Sequence, residues 1–215
     1  MIEEAIAEGR RLAHENRLEG KDLDELAALE DEEDEAFLEQ YRQKRIQELS
    51  AVQTRSIHGS VYPISKPDWI RDVTEASHHS PVFVNLTASN ELQGESRLLS
   101  ELWRQAAKEF GDVKFCEIRG AQVMENYPDH NCPTILVYKN GTPVKQIVTL
   151  ASVGGVHMSM LQIDALLVEM GAVPDTDLRI IKRLRDAQEA GETRTSSKEK
   201  KDGPRADHDL DEEWD

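Results

Sequence analysis

The segment from Asn131 to Leu150 constrains this chain more than any other. Asn131-Cys132-Pro133-Thr134 leads into the apolar run Ile135-Leu136-Val137-Tyr138, then Lys139-Asn140-Gly141-Thr142, then a second β-rich run from Val144 to Leu150. Asn-Gly takes the positive φ angles of a type I′ turn at little cost, so β-rich runs on either side predict a tight antiparallel hairpin. A proline in the loop just ahead of a strand is a candidate cis bond, and Cys132-Pro133 is the place for it. The strand before it reads Pro81-Val82-Phe83-Val84-Asn85-Leu86. The loop that follows, Thr87 to Glu95, holds no cysteine.

The elements around this hairpin follow from periodicity. Ser60-Val61-Tyr62-Pro63-Ile64 reads as an edge strand, because its proline removes a ladder donor. Residues 66–77 read as a helix with a proline in the first turn. Val82 to Leu86 is a short buried strand. Residues 93–110 form an amphipathic helix with Leu98, Leu99, Leu102, Trp103 and Ala106 inward, and Val113 to Ile118 is a strand. A last helix, 158–171, has Met160, Leu161, Ala165 and Val168 facing in. This order predicts an α/β fold, a mixed sheet of four or five strands flanked by helices on both faces. With the proline before the hairpin, it is the order of a thioredoxin-like fold. That fold carries paired redox cysteines in the loop at 87–95, so the frame is expected here without its chemistry.

The ends are different in kind. Apolar residues are 38% and charged residues 32% of the 215, which leaves part of the chain outside any core. The net charge of −16 divides into −9 over residues 1–50, −3 over 51–171, +2 over 172–201 and −6 over 202–215. Residues 1–50 lack proline and are rich in Glu, Ala, Leu and Arg, so they read as a helical N-terminal domain interrupted at Gly20. Leu23, Leu26 and Leu29 give a face too narrow for a core. The second helical piece, 30–51, is better marked: Glu30 to Glu35 crowd its start, and Arg42, Lys44 and Arg45 its end, matching the helix dipole. On it Leu38, Tyr41, Arg45 and Leu49 share one face, with Phe37 beside them. Residues 51–56 read as a linker, 57–173 as the thioredoxin-like domain, 174–190 as a short basic helix and 191–215 as a disordered acidic tail.

Composition excludes several function classes. No basic face of any size exists to displace counterions from phosphate, so nucleic acid is not an expected partner. The acidic start has no apolar leader and the longest apolar runs are only a few residues, so no membrane association is expected and the chain reads as cytoplasmic. Cys116 and Cys132 make no disulfide framework and suit a reducing compartment. Adjacent His78-His79 point apart on an extended chain, so no metal site and no other cofactor is expected. Cys132 is the sharpest chemical candidate, a lone thiol beside His130. With no second cysteine to resolve a mixed disulfide, it supports a monothiol redox protein only as an alternative, and the chain is not expected to be an enzyme.

Three blocks carry a family resemblance: Glu32-Glu33-Asp34-Glu35-Ala36-Phe37-Leu38-Glu39-Gln40-Tyr41-Arg42-Gln43-Lys44-Arg45, then Phe110-Gly111-Asp112-Val113-Lys114-Phe115, then Asn126-Tyr127-Pro128-Asp129-His130-Asn131-Cys132-Pro133-Thr134. They resemble the phosducin-like proteins, second subfamily, the type that includes the viral-IAP-associated factor. The resemblance implies a helical N-terminal domain joined to a redox-inactive thioredoxin-like domain. It also implies a cytosolic co-chaperone that binds the CCT/TRiC chaperonin and modulates folding of actin and tubulin. Phosducin itself binds G-protein βγ, which makes a βγ-binding regulator another alternative. On this reading Glu32, Asp34, Phe37, Tyr41, Arg42 and Arg45 contact the partner. Two departures stand out. Family members have a longer N-terminal stretch with an early helix, so a contact made there is expected to be truncated. Some relatives also carry a cysteine where this chain has Gly94, Glu95 and Ser96.

Overall fold

The computed structural model describes residues 18, 21, 23–28, 35–89 and 94–199, with the backbone alone for 35–37 and 191–199. The expected break at Gly20 and the residues 200–215 of the expected tail lie outside the described residues.

Five strands, β1 (Tyr62–Pro63), β2 (Val82–Thr87), β3 (Lys114–Arg119), β4 (Thr134–Lys139) and β5 (Thr142–Val148), form one sheet in the order β1-β3-β2-β4-β5. β1 and β2 run parallel to β3, while β4 is antiparallel to β2 and to β5. Pro63 sits on the edge strand, where its missing N–H costs no ladder bond. Asn140 (φ 53°) and Gly141 (φ 79°) make the hairpin turn, and the Cys132-Pro133 bond is cis. The mixed sheet with helices on both faces is the thioredoxin-like arrangement expected from the sequence.

Side chains alternate across the sheet, as a pleat requires. One face of β2, β3 and β4 presents Phe83, Phe115, Ile135 and Val137 to two helices, α3 (Gly94–Glu109) and α5 (Met160–Glu169). The other presents Val82, Val84, Leu86, Cys116 and Ile118 to Val73, Ile64 and Val123 of the short helix α4 (Gly120–Val123). Trp103 of α3 sets the depth of the first core. Its ring meets Phe115 edge-on at 5.2 Å, and its indole N–H donates to the Cys116 carbonyl over 3.1 Å, so a large buried ring leaves no polar atom unpaired.

Several expectations need correction. Residues 66–77 are not one regular helix: a wide helical turn (Ile70–Glu75) lies between tight turns at Lys66–Asp68 and Ala76–His78. The hairpin claims the end of this segment, because Asn140 N–H donates to the Ser77 carbonyl (2.8 Å) and Gly141 N–H to its hydroxyl (2.9 Å). In α5, Ala165 is exposed, and Ile163, Leu166 and Leu167 are inward beside Met160. The buried face is shifted because Asp164 turns in to Arg183.

The helix α2 (Glu35–Arg55) continues through most of the expected linker. Nothing between Ala51 and Arg55 breaks a helix, and the Thr54 hydroxyl and Arg55 Nε–H donate to the Ser50 and Ala51 carbonyls. The final helix, α6 (Leu178–Glu199), likewise runs past Ala190 into the segment expected to be disordered. Once a helix is nucleated, each added residue brings a bond, so a polar composition does not stop it. Nor is its start idle. Ile180 is buried in the main core. Arg179 forks onto Asp112 (2.9 and 3.3 Å), bonds Asp177 (2.8 Å) and lies over the Phe110 ring at 4.5 Å. Burial alone would disfavour its charge, but the hydrogen bonds to Asp177 and Asp112 outweigh this and raise its pKa. Arg183 reaches Asp164 (2.7 Å) and Glu109.

Candidate functional site

Two places carry the sequence's functional expectations. The first is the arm formed by α2 with the short helix α1 (Leu23–Ala27). Leu26 of α1 is buried with Leu18 and with Leu38 and Tyr41 of α2, so the face expected to be too narrow for a core does contribute to a small one. Leu38, Tyr41 and Arg45 fall on one stripe because their spacing follows the helical repeat. Lys44 and Arg45 place cations 5.4 and 5.7 Å from the Tyr41 ring centre. Arg45 Nη1 donates to Glu48 over 2.6 Å.

This geometry divides the expected contact residues. Tyr41 is 8% exposed and Arg45 5%, so both spend their surface inside the protein and offer little to a partner. Arg42 is half-buried. Glu32 and Asp34 lie outside the described residues, and for Phe37 only the helical backbone is described. Leu49, expected on the same face as Leu38, Tyr41 and Arg45, is 46% exposed, and Ile46, which sequence reasoning passed over, is 55% exposed. The i, i+3 relation of Ile46 and Leu49 was the available signal.

The outer half of α2 lines a groove of about 320 Å³ against the segment that starts α6. Its apolar floor is Leu49, Val52, Pro174 and Leu178, with Lys44 and Arg55 along the α2 side. The arm is tied to the body at Arg185–Glu25 (2.8 Å) and where the chain leaves α2. There His58 N–H donates to the Gly111 carbonyl (2.9 Å). Ser56 lies so near Gly111 that a Cβ there would stand 2.1 Å from its hydroxyl oxygen.

The second place is the Cys132-Pro133 loop. Cys132 is buried, and Gly120 lets Tyr127 and the thiol pack close, since a Cβ would fall 2.6 Å from the Tyr127 ring and 3.3 Å from Sγ. The Tyr127 and Thr134 hydroxyls are 2.7 Å apart, and Thr134 donates to the Asn131 carbonyl over 2.6 Å. Burial pushes the Cys132 thiol pKa up, and the Asp129 carboxylate adds to it. A thiolate nucleophile needs the opposite environment. Cys116 is deeper in the sheet, and burial pushes its thiol up to about 12. Neither cysteine forms a disulfide, and no helix among the described residues is long and apolar enough to cross a membrane.

A solved structure of thioredoxin f from spinach chloroplast aligns with 56% of this chain and 91% of its own, at 19% identity and a TM-score of 0.41. A phosducin-like protein of Schizosaccharomyces pombe is 42% identical over 197 residues, covering 92% of this chain and 84% of the relative. Phosducin-like protein 2 of Saccharomyces cerevisiae is 39% identical over 211 residues (90% and 73%), and phosducin-like protein 2 of Drosophila melanogaster 35% over 169 residues (79% and 68%). The family model described as Phosducin matches residues 11–199, spanning both the helical arm and the sheet domain, and the chain belongs to the phosducin family.

Proposed function

We propose that this chain is a non-catalytic co-chaperone of the cytoplasm that binds the CCT/TRiC chaperonin and modulates the folding of actin and tubulin. The observation that carries the reading is the charged arm: α2 keeps Ile46 and Leu49 exposed beside Lys44 and Arg55, on a thioredoxin-like body whose remaining loop cysteine is buried and held as a thiol. A helix with an apolar strip between charges suits docking onto a protein surface. Within this proposal Glu32, Asp34, Phe37 and Arg42 touch the partner, while Tyr41 and Arg45 act as positioning residues that hold α2 in its register. The acidic ends steer association with basic surfaces.

Co-sedimentation of the purified protein with purified chaperonin, at low and high salt and with and without nucleotide, tests this directly. Binding that weakens at high salt is expected, as is loss of binding in Phe37→Ala. Absence of binding under every condition overturns the reading and makes capture of G-protein βγ the next measurement.

A further inference from the structure

A cavity of about 620 Å³ opens at the carboxyl ends of β1, β3 and β2, beside the first turns of α3. In α/β sheets this is where small ligands sit, and the size falls in the usual range of such sites. Nothing in the arm or in the cysteine loop uses it.

The cavity is built in layers that the sheet register explains. On the α3-facing side, the pair Phe83↔Phe115 is apolar, but the next pair on that side is Asn85↔Glu117. Asn85 is fully buried and donates through Nδ2 to Glu117 (3.0 Å) and Ser100 (3.4 Å), and Ser100 donates to the same Glu117 oxygen at 2.7 Å. Polar groups placed where a core could have continued are costly, and they persist where they are satisfied or used. Two are not satisfied: Asn85 Oδ1 and Ser96 Oγ have no hydrogen-bond partner among the described residues. Ser96 is 4% exposed and lines the cavity. Ser96, Ser100 and Arg104 repeat every four residues along one stripe of α3, with Arg97 one turn before Ser100 and two turns before Arg104. Arg97, Arg104 and Arg119 line the mouth, and Glu117 is the single acid among the lining residues. In a protein of net charge −16 this is a local reversal of sign.

We infer that this cavity binds a small phosphate ester whose far end presents O–H or N–H donors. The phosphate sits against the first turn of α3, the positive end of the helix, beside Arg97, with Arg119 and Arg104 on the same cavity wall and Arg104 also paired to Glu101 (2.5 Å). The donor end reaches inward to the Glu117 carboxylate and the open Ser96 hydroxyl, and Ile64 and Ile118 supply apolar wall. Nucleotides and sugar phosphates share this chemistry. The inference stands apart from the chaperonin reading, since no residue of the arm contributes.

Isothermal titration of the full chain with AMP, ribose 5-phosphate, adenosine and inorganic phosphate decides it. Saturable one-to-one binding of at least one ester is expected, with adenosine and phosphate each at least about tenfold weaker, the loss of one set of charge-assisted bonds. AMP alone identifies a nucleotide site, and equal binding of both esters identifies the phosphorylated sugar as the recognised part. Arg97→Ala with Arg104→Ala, both at exposed positions, is expected to weaken the ester about tenfold or more and leave the thermal midpoint unchanged. Ser96→Ala is expected to weaken it several-fold with phosphate binding unaltered. If neither ester saturates by about 10 mM, weaker than any specific site of this size warrants, the inference fails. It also fails if the double arginine variant binds as the parent does.

Discussion

The arm and the body of this protein are both helical on their outer surfaces, yet they are held by different amounts of the same force. Among the described residues, the α3 side of the sheet gathers twenty buried apolar residues into one cluster. The arm has Leu18, Leu26, Leu38 and Tyr41, and shares none of them with either sheet cluster. Burial of apolar area is the main stabilising term and it accumulates with each side chain. The body therefore unfolds as a unit, while the arm, with four buried apolar side chains and a few ion pairs among its described residues, is expected to open at lower free energy. Elements at that low end of the range are the ones a binding event can rearrange at small cost, as the proposed function requires of the arm.

The sharpest way to test this contrast is to injure each part in turn. Trp103→Ala removes the largest fully buried side chain and its bond to Cys116, and is expected to cost about 3–5 kcal/mol, seen as a large drop in the urea midpoint by far-UV circular dichroism. Tyr41→Ala is expected to cost the arm about 1–3 kcal/mol of local opening. Amide exchange over 38–49 should speed up while the midpoint of the body stays in place. If the body midpoint fell with it, arm and body would be one cooperative unit and the contrast would be lost.

A smaller effect comes from pH. Burial raises the Asp164 pKa above the ordinary carboxylate range, with Arg183 working against it. Between the unfolded and folded values the folded state holds the extra proton. Stability is therefore greatest below the unfolded pKa and declines as pH rises through the folded one. Urea unfolding at steps from pH 4 upward should show this decline, and Asp164→Asn should flatten it; a rise instead would mean that the Arg183 pair dominates. The smallest effect is expected at the arm's tether. Glu25→Gln breaks a half-exposed pair with Arg185 and should cost about 0.5 kcal/mol or less, measurable only as faster exchange in α1.

Much of the body was legible before any coordinates. Asn140-Gly141 marked the hairpin, Pro133 the loop ahead of it, and the spacing of Leu99, Leu102, Trp103 and Ala106 the helix over the sheet. These signals are local: a turn type, a missing donor, a 3.6-residue repeat. The misjudged regions depended on distant partners. Ile180 and Arg179 read from the sequence as part of a short basic helix, and their anchors, the main core, Phe110 and Asp112, come from nearly seventy residues earlier. Tyr41 and Arg45 are read as contact residues from a charged amphipathic stripe, which looks the same whether a partner or the chain itself covers it, and the structure adds that both are buried. The cavity at the strand ends was invisible for a related reason, since Ile64, Ser96 and Glu117 come from separate elements and none belongs to a motif.

The sequence by itself determined the order of elements, the thioredoxin-like frame, the absence of paired cysteines from its loop and the family. Each depends on residue identity and near-neighbour spacing, which act through backbone preference and alternation. Only the tertiary structure decided which polar groups are buried, which are satisfied, and where charges converge. Desolvation and hydrogen bonding are set by what surrounds a group in space, and in this fold β3 and α3 bring Glu117 and Ser96 to one cavity while Asn85 of β2 holds Glu117 from behind.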